Sequence, residues 1–281
     1  MASWRHTSSF TVLLVTVTFV LTANSQTRSL VPKSFIWLFA GSAITHLGQT
    51  PGGMKLLRGY MNEQTVWVYG KSHDTPLHSL VLSGAASLAR FHQATMSANS
   101  YVLLDLEDWS KSPVSEQKHP VATYAQATLL AKKRGKVLIA TPAFDLIHSV
   151  QPHYHGPIYP EFIRLGLARR IARYASVYEI QAQGIENIPS RYRALVLAIA
   201  RQVQETNPHA IILAGLSTGP SGQKTTAKIL YQDVLATRHI VAGYWLNIPG
   251  HGTACPRCTI PKPQLAVALL QKLQKNNIVS P

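Results

Sequence analysis

The sequence predicts an α/β fold, a (β/α)8 barrel of the TIM type, from three observations. Strand-like apolar runs alternate with segments of helical periodicity along the chain. These runs are almost continuously apolar, which is typical of parallel strands that helices cover on both faces. About 250 residues remain after a predicted N-terminal signal peptide, and this is the usual length of such a barrel.

Seven strand-helix units follow one another along the chain. The strand-like runs lie at 34–41, 65–71, 101–109, 136–144, 176–184, 210–218 and 240–250. The helical segments lie at 53–61, 77–94, 121–134, 160–175, 190–205, 225–236 and 263–274. An open doubly wound sheet is the alternative, but no G-x-G-x-x-G follows the first strand. Either an eighth strand is hidden, with 77–98 as its candidate location, or the barrel is incomplete.

The first 25 residues predict a secretory signal peptide. An apolar run at 10–22 follows a short basic segment, and Ala23 and Ser25 fit the rule for cleavage before Gln26. The run is shorter than the about 20 residues that a membrane-spanning helix needs. An uncleaved anchor is the alternative. We expect a secreted or extracytoplasmic protein, with one barrel domain at 26–281 and no membrane span after cleavage.

The chain is strongly basic, with 27 Lys and Arg, 12 Asp and Glu and a formal net charge of +15. Such a charge favours association with polyanions, among them nucleic acid, anionic lipid and acidic cell-wall polymers. The basic residues are scattered, however, and no RNP, zinc-finger or helix-turn-helix pattern is present. We expect a carbohydrate or a cell-wall polymer as partner, no specific nucleic-acid site and no cofactor.

Two predicted strands carry polar side chains on one face. In the third strand, Asp105 and Glu107 alternate with apolar residues, and in the fifth, Glu179, Gln181 and Gln183 do the same. Side chains alternate between the two faces of a strand, and the apolar face is expected to pack against helices. The polar groups are therefore predicted to point into the barrel, near the strand ends where barrels carry their functional groups.

This arrangement is suited to the cleavage of glycosidic bonds. That reaction commonly uses one protonated carboxyl group as acid and an ionised one as base, nucleophile or electrostatic stabiliser. Glu107 is the candidate acid, and Asp105 or Glu179 is its candidate partner. The alternative is that these acids neutralise inward-pointing lysines or cap loop backbone, and Glu179, two positions deeper than Gln181, suits that interpretation too.

Aromatic and amide side chains at the strand ends are candidates for sugar binding. Flat rings can stack on sugar rings and amides can hydrogen-bond hydroxyl groups, although buried aromatic residues more often belong to a core. The candidate substrate-binding residues are Trp109, Gln181, Gln183, Tyr244, Trp245 and Asn247.

The two cysteines, Cys255 and Cys258, form the sequence CPRC. A zinc site would need two more ligands, and only His251 is near in sequence. A redox pair would place its first cysteine at a helix N-terminus, but two prolines intervene before the next helical segment. In an exported chain we therefore expect a local disulfide, with redox and metal roles as alternatives.

Two further patterns are less specific. His148, His153 and His155, with Asp145 just before them, have a spacing that could bind a metal, but loop histidines are more often simply exposed. No metal site is therefore expected. The segment STGPSGQKT at 217–225 resembles a phosphate-binding loop only loosely, because it lacks G-x-x-x-x-G-K-[ST].

The triplet Asp105-Leu106-Glu107 resembles the end of the D-x-x-D-x-D-x-E strand of family 18 chitinase-like glycosidases. That resemblance implies Glu107 as the acid and Asp105 as the residue that orients the substrate amide. The upstream aspartates of the pattern are absent, since Tyr101 and Leu103 occupy their positions, and the triplet lies on the third recognisable strand.

A longer pattern is similar to a family of secreted bacterial, glycoside-hydrolase-like barrel proteins without an assigned activity. It comprises D-x-E-x-W-x-x-x-P-x-x-E-Q-x-x-P from Asp105 to Pro120, E-I-Q-A-Q from Glu179, L-A-G-L-S-T from Leu213 and G-Y-W-L-N-x-P from Gly243. This resemblance implies one exported barrel domain and no particular reaction. Two functions remain open: a glycoside-hydrolase-like enzyme, and a non-catalytic extracellular barrel that binds carbohydrate or an acidic polymer.

Overall fold

A computed structural model describes residues 35–61, 65–70, 75, 79–252 and 255–278, and the predicted signal peptide lies outside them. Eight parallel strands close into a barrel in chain order, with β8 paired to β1. They are β1 Ile36–Ala40, β2 Val66–Tyr69, β3 Leu80–Ala85, β4 Tyr101–Leu106, β5 Val137–Pro142, β6 Val177–Ile180, β7 Ile211–Ser217 and β8 Gly243–Asn247. The predicted (β/α)8 barrel is confirmed, and it is complete.

Helices surround this barrel. They are α1 Gly41–Gln49, α2 Gly53–Arg58, α3 Leu88–Ala94, α4 Val114–Lys118, α5 Pro120–Lys133, α6 Leu146–Val150, α7 Ile158–Arg164, α8 Leu167–Ala172, α9 Pro189–Thr206, α10 Ala227–Thr237 and α11 Pro263–Lys275. No described helix is long and apolar enough to span a membrane.

The strand that is missing from the seven predicted ones is β3, which lies in the segment where a helix is predicted. The helix prediction for 77–94 is wrong over its first half, since α3 begins only at Leu88. Polar and small residues interrupt the apolar run of β3: Ser83 donates to Ser97 at 2.7 Å, and Gly84 lies under the ring of Tyr69. Because β3 precedes them, the third, fifth and seventh predicted strands are β4, β6 and β8.

Two apolar layers lie on the two sides of the barrel wall. The inner layer fills the barrel and comprises Ile36, Leu38, Trp67, Leu82, Leu103, Ile139, Val177, Leu213 and Trp245. The outer layer joins the opposite faces of the strands to the helices. On β4 it holds Val102, Leu104 and Leu106, whereas Leu103 packs inside. Alternation on this strand therefore places its apolar residues as the sequence predicts.

After β8, the chain forms a short loop that a disulfide closes. Cys255 and Cys258 are bonded, with their Cα atoms 5.3 Å apart. An isolated antiparallel bridge pairs Gly252 with Cys255. Cys258 Sγ lies 3.6 Å from the carbonyl oxygen of Gly219, which follows β7. The disulfide thus fixes a loop that covers the ends of β7 and β8.

Candidate active site

Asp105 lies near the C-terminal end of β4, and three strands contribute to its surroundings. Thr141 is its partner in the register of β4 with β5, and Thr141 Oγ1 donates to Asp105 Oδ1 at 3.0 Å. Gln181, directly after β6, donates through Nε2 to the same oxygen at 2.8 Å and to the carbonyl oxygen of Thr141 at 2.9 Å. These contacts hold the Asp105 carboxylate in one orientation.

Glu107 follows β4 and belongs to the same group of side chains, because Asp105 raises and Gln181 lowers the pKa of its carboxyl group. Burial raises the pKa of Asp105 to about 6 against the opposing hydrogen bonds from Thr141 and Gln181. Burial, and then the negative charges of Asp105 and Asp145, raise the pKa of Glu107 to about 9. At neutral pH, Asp105 is therefore largely ionised while Glu107 retains its proton.

Glu179 lies two residues before Gln181 and is completely buried. Neither of its carboxyl oxygens has a hydrogen-bond partner in the described part of the chain. Burial, and then the charges of Asp105 and Glu107, raise the pKa of Glu179 well above its ordinary value. Burial therefore favours the neutral form of Glu179, which lies near the pair formed by Asp105 and Glu107.

No described salt bridge includes these acids, although the charge of Lys111 lowers the pKa of both Asp105 and Glu107 against the larger effect of burial. The ion pairs among the described residues join Arg164 to Glu161 and Arg169 to Glu205, and neither includes the carboxyl groups of the barrel mouth. Raised pKa values at the C-terminal ends of the barrel strands make these carboxyl groups candidates for a functional site. The described contacts therefore give no support to the alternative in which inward-pointing lysines neutralise the acids.

Two residues that the sequence did not assign to this pair lie close to it. Asp145, at the start of α6, accepts a hydrogen bond from the backbone N–H of Asp108 at 3.1 Å. Burial raises the pKa of Tyr69, and the charges of Asp105 and Glu107 raise it further. Tyr69 ends β2, and this strand-end position is the one signal that could have identified it.

Besides Gln181, which donates to Asp105, three of the predicted substrate-binding residues lie on the mouth side of the barrel. Trp245 packs inside, its ring centroid is 6.4 Å from that of Tyr69, and its indole N–H is buried without a described partner. The half-buried amide of Gln183 covers Gly215 on β7. Half-buried Asn247 ends β8 and is paired with Ser217 of β7.

Of the other two aromatic candidates, Tyr244 lies on the helix side of the barrel wall and Trp109 lies in the loop after β4. Tyr244 is fully buried on the helix side of β8, where its ring lies 5.8 Å from that of Trp37 and its hydroxyl group 3.0 Å from Thr237 Oγ1. It does not face the mouth, because adjacent residues of a strand point to opposite faces. Trp109 donates to Ser112 Oγ at 2.9 Å, and Lys111 Nζ lies 4.6 Å from the centre of its ring.

A second pair of buried acids lies outside the barrel, and sequence reasoning did not find it. Glu186 follows β6 and Asp233 lies on α10, and both are completely buried. Their carboxyl oxygens make no hydrogen bond of normal geometry to described residues. Burial raises the pKa of Glu186 to about 8, although nearby backbone amides oppose this. Burial, and then the charge of Glu186, raise the pKa of Asp233 to about 9.

The histidines after β5 do not converge on one another. His148, His153 and His155 are exposed, and His148 lowers the pKa of Asp145 through its charge. Within the described ranges, no group of three or more His, Cys, Asp or Glu side chains could hold a metal ion.

A substitution at Gly215 would test the position of Gln183. A Cβ atom there would lie 2.2 Å from the Gln183 side-chain amide, so Gly215→Ala is expected to displace this flexible side chain. Stability should change by about 1 kcal/mol or less, because the displaced group can rotate away. Affinity for a responsive glycan should fall, as measured by isothermal titration beside chemical denaturation. Unchanged affinity would show that Gln183 does not contact the glycan.

Neither the family models nor the curated proteins contain a match to this chain. Solved structures with a similar fold include a sugar phosphate isomerase/epimerase from Parabacteroides distasonis, at 12% identity and TM-score 0.46, covering 90% of this chain and 97% of that one. A chitinase from Chromobacterium violaceum has 12% identity and TM-score 0.43, covering 85% and 99%. An aldolase, DAHP synthase from Thermotoga maritima, has 10% identity and TM-score 0.45, covering 87% and 69%. The closed order of the eight strands, rather than these distant likenesses, establishes the fold.

Proposed function

We propose that the protein is an exported glycoside-hydrolase-like enzyme that cleaves a carbohydrate at the mouth of its barrel. The observation that carries the proposal is a group of carboxyl side chains at the ends of β4 and β6, in which Thr141 and Gln181 orient Asp105 while burial and the charge of Asp105 raise the pKa of Glu107 to about 9. Environments that separate the pKa values of two such groups are what acid-base cleavage of a glycosidic bond requires.

In this proposal, Glu107 donates its proton to the glycosidic oxygen as the bond to the leaving sugar breaks. A water molecule adds to the anomeric carbon and gives its proton to an ionised carboxylate. The carboxylate of Asp105 stabilises the positive charge that develops on the sugar ring, or acts as base or nucleophile. Thr141 and Gln181 fix the orientation of the Asp105 carboxylate, so these groups need not rearrange during the reaction. Burial favours the neutral form of Glu179, which limits the negative charge beside Asp105 and Glu107.

The same mouth offers groups that would hold a sugar. Tyr69 and Trp245 supply aromatic surface, and the buried indole N–H of Trp245 is a free donor within the described ranges. Gln183 and Asn247 supply amides for hydroxyl groups. Polar groups of this kind around aromatic surface are typical of ligand-binding pockets.

The alternative is a non-catalytic extracellular barrel that binds carbohydrate or an acidic polymer, and the net charge of +15 favours it. In that case binding to an acidic polymer would weaken with added salt, and the folded protein would release no product. Among the described residues, neither Asp105 nor Glu107 forms a salt bridge, and this favours the enzyme over an alternative in which the acids are structural ion pairs.

A panel of polysaccharides, assayed for the release of reducing ends by the purified mature protein, tests the proposal. We expect time-dependent release from at least one glycan, with a rate that saturates as the concentration of the glycan rises. Binding without release across the panel would instead indicate the non-catalytic barrel. N-terminal sequencing of the exported protein tests the predicted cleavage before Gln26 independently of activity.

A further inference from the structure

A row of basic side chains crosses three neighbouring helices near the end of the barrel that is opposite the mouth. Helix α8 packs against α5 on one side and against α9 on the other. Each of these helices leads into the next strand, so its last turn lies near the N-terminal ends of the strands, away from the mouth. The exposed cations here, which we call the basic row, are Lys132, Lys133, Arg134, Arg170, Arg173 and Arg201.

Helices α5 and α8 bring their cations close together. Thr128 of α5 donates through Oγ1 to the carbonyl oxygen of Tyr174, the residue after Arg173, at 2.7 Å. Lys132 lies one helical turn after Thr128, so it is near the end of α8. Arg170 and Arg173 are three residues apart and are therefore neighbours on the surface of one helix. Like charges at this spacing destabilise a helix, so the fold itself gains nothing from the pair.

Helix α9 extends the row beyond α8. The side chain of Asn207, which follows α9, donates at 2.9 Å to the carbonyl oxygen of Ala175, which follows α8. Arg169 of α8 is paired with Glu205 of α9 at 2.6 Å. Arg201 lies one helical turn before Glu205 and is exposed. Because the axes of packed helices are 8–10 Å apart, the row is about 20 Å long from α5 to α9.

The cations of the basic row have no acidic partner among the described residues. The described salt bridges use Arg164 and Arg169, neither of which belongs to the row. Glu205 is the single acid in the sequences of α5, α8 and α9. The helix dipole favours cations in the last turns of α5 and α8, but it does not account for Arg201 or for the lack of acids between them. The row is therefore a continuous, unbalanced positive surface.

We propose that the basic row binds an acidic polysaccharide, a linear polymer whose anionic groups repeat along its length. Charges spread over three helices match a linear polymer better than a single small anion, which would contact one helix. The proposal goes beyond the proposed function and does not depend on it. The row lies away from Glu107, and it would hold the protein on a polymer without taking part in cleavage.

Other polyanions fit the row less well. A helix that lies on a membrane presents several apolar side chains to the lipid, whereas Leu129 is the one strongly exposed large apolar residue among the described residues of α5, α8 and α9. Single-stranded nucleic acid stacks its bases on aromatic rings. The aromatic residues of these three helices, Tyr124 and Tyr192, are completely buried.

Binding can be measured without any turnover. The mature protein would be titrated with polygalacturonate at an ionic strength of about 0.15 M, with neutral dextran as the reference polymer. We expect binding to polygalacturonate alone, and we expect it to weaken as sodium chloride is added, because the bound cations displace counterions from the polymer. Binding no tighter than that of dextran would overturn the proposal.

Two triple variants with the same change in charge locate the binding. Lys133→Gln, Arg170→Gln and Arg173→Gln together should weaken binding about tenfold or more and should make its dependence on salt less steep. The control combines Lys228→Gln, Arg58→Gln and Arg191→Gln, which remove exposed charges outside the row. It should bind nearly as the unmodified protein does. Equal weakening by both variants would mean that only the net charge attracts the polymer, which overturns the row as a binding surface.

Anionic vesicles and nucleic acid test the other occupants. Phosphatidylserine-containing vesicles, duplex DNA and single-stranded DNA would be titrated under the same conditions. We expect each to bind more weakly than polygalacturonate. If one of them bound more tightly and lost its affinity in the row variant, the row would be a surface for that partner and not for a polysaccharide.

The two proposals fail separately. The row variant should cleave a responsive neutral glycan at an unchanged rate, and Glu107→Gln should bind polygalacturonate as the unmodified protein does. Row-dependent binding in a protein that cleaves no glycan would leave the polysaccharide surface in place and remove the glycosidase. Cleavage without row-dependent binding would do the opposite.

Discussion

Replacing Glu107 with glutamine should lower the turnover of a responsive glycan by about 10²- to 10⁴-fold, because the amide cannot donate the proton that the leaving group needs. Asp105→Asn should have an effect in the same range, since it removes the carboxylate that Thr141 and Gln181 orient. The measurement is kcat and KM for each variant. We expect the loss mainly in kcat, because both groups act on the transition state.

A control for these variants lies one residue further along the chain. Asp108 is exposed, and its carboxylate is 3.4 Å from Ser149 Oγ, away from the barrel interior. Asp108→Asn should therefore leave kcat near that of the unmodified enzyme. If Glu107→Gln retained full turnover while remaining folded, Glu107 would not be the acid.

The rate should also depend on pH in a way that reports both groups. Glu107 must hold its proton, and its pKa is raised to about 9, so kcat/KM should fall as the pH rises beyond that value. Asp105 must be ionised, and its pKa is raised to about 6, so kcat/KM should fall as the pH drops below it. An optimum between these limits is expected, and an optimum near pH 4 would contradict the assignment.

A second large effect is expected on stability: the free energy of unfolding should fall as the pH rises from about 5 to 9. Glu186 has a pKa raised from 4.5 to about 8 in the folded protein, and Asp233 has one raised from 3.8 to about 9. At a pH between the pKa of such a group in the unfolded state and its pKa in the folded state, the unfolded state holds fewer protons than the folded state. Raising the pH therefore favours unfolding. A pKa that differs by one between the two states corresponds to about 1.4 kcal/mol, so upward shifts in two buried acids should give a readily measurable decrease in the free energy of unfolding.

Urea unfolding at pH 5, 6, 7 and 8 measures this dependence. Glu186→Gln and Asp233→Asn should each flatten it and should raise stability at pH 8, because neither amide has a proton to lose. Glu205→Gln is the matched control, since Glu205 is exposed and paired with Arg169 on the surface. A stability that rises steadily between pH 5 and 8 would show that the buried acids have cationic partners.

Periodicity was sufficient to predict most of the barrel. Continuous apolar runs marked seven strands, but β3 lacks such a run because Ser83 and Gly84 serve contacts with Ser97 and Tyr69 instead. A helix was also predicted without interruption over 160–175. The structure has two helices in this segment, α7 and α8, and Gly166, with a φ of 60°, separates them.

Alternation along the strands was the most informative rule for the site. It predicted which face of β4 holds Asp105, and a strict use of it would have removed Tyr244, since Trp245 already points inward. The contacts from Thr141 and Gln181 to Asp105, and the proximity of Glu186 to Asp233, could not be predicted. They join residues far apart in sequence, and their distances depend on how the barrel closes.

The burial of the acids changes how the whole protein would migrate in an electric field. Five of the acids in the described ranges are buried, namely Asp105, Glu161, Glu179, Glu186 and Asp233. The formal charge of +15 counts every acid as ionised, whereas the raised pKa values leave Glu107, Glu186 and Asp233 largely protonated at neutral pH. The folded protein therefore carries a larger positive charge than its composition states, and unfolding at constant pH would release protons into the medium.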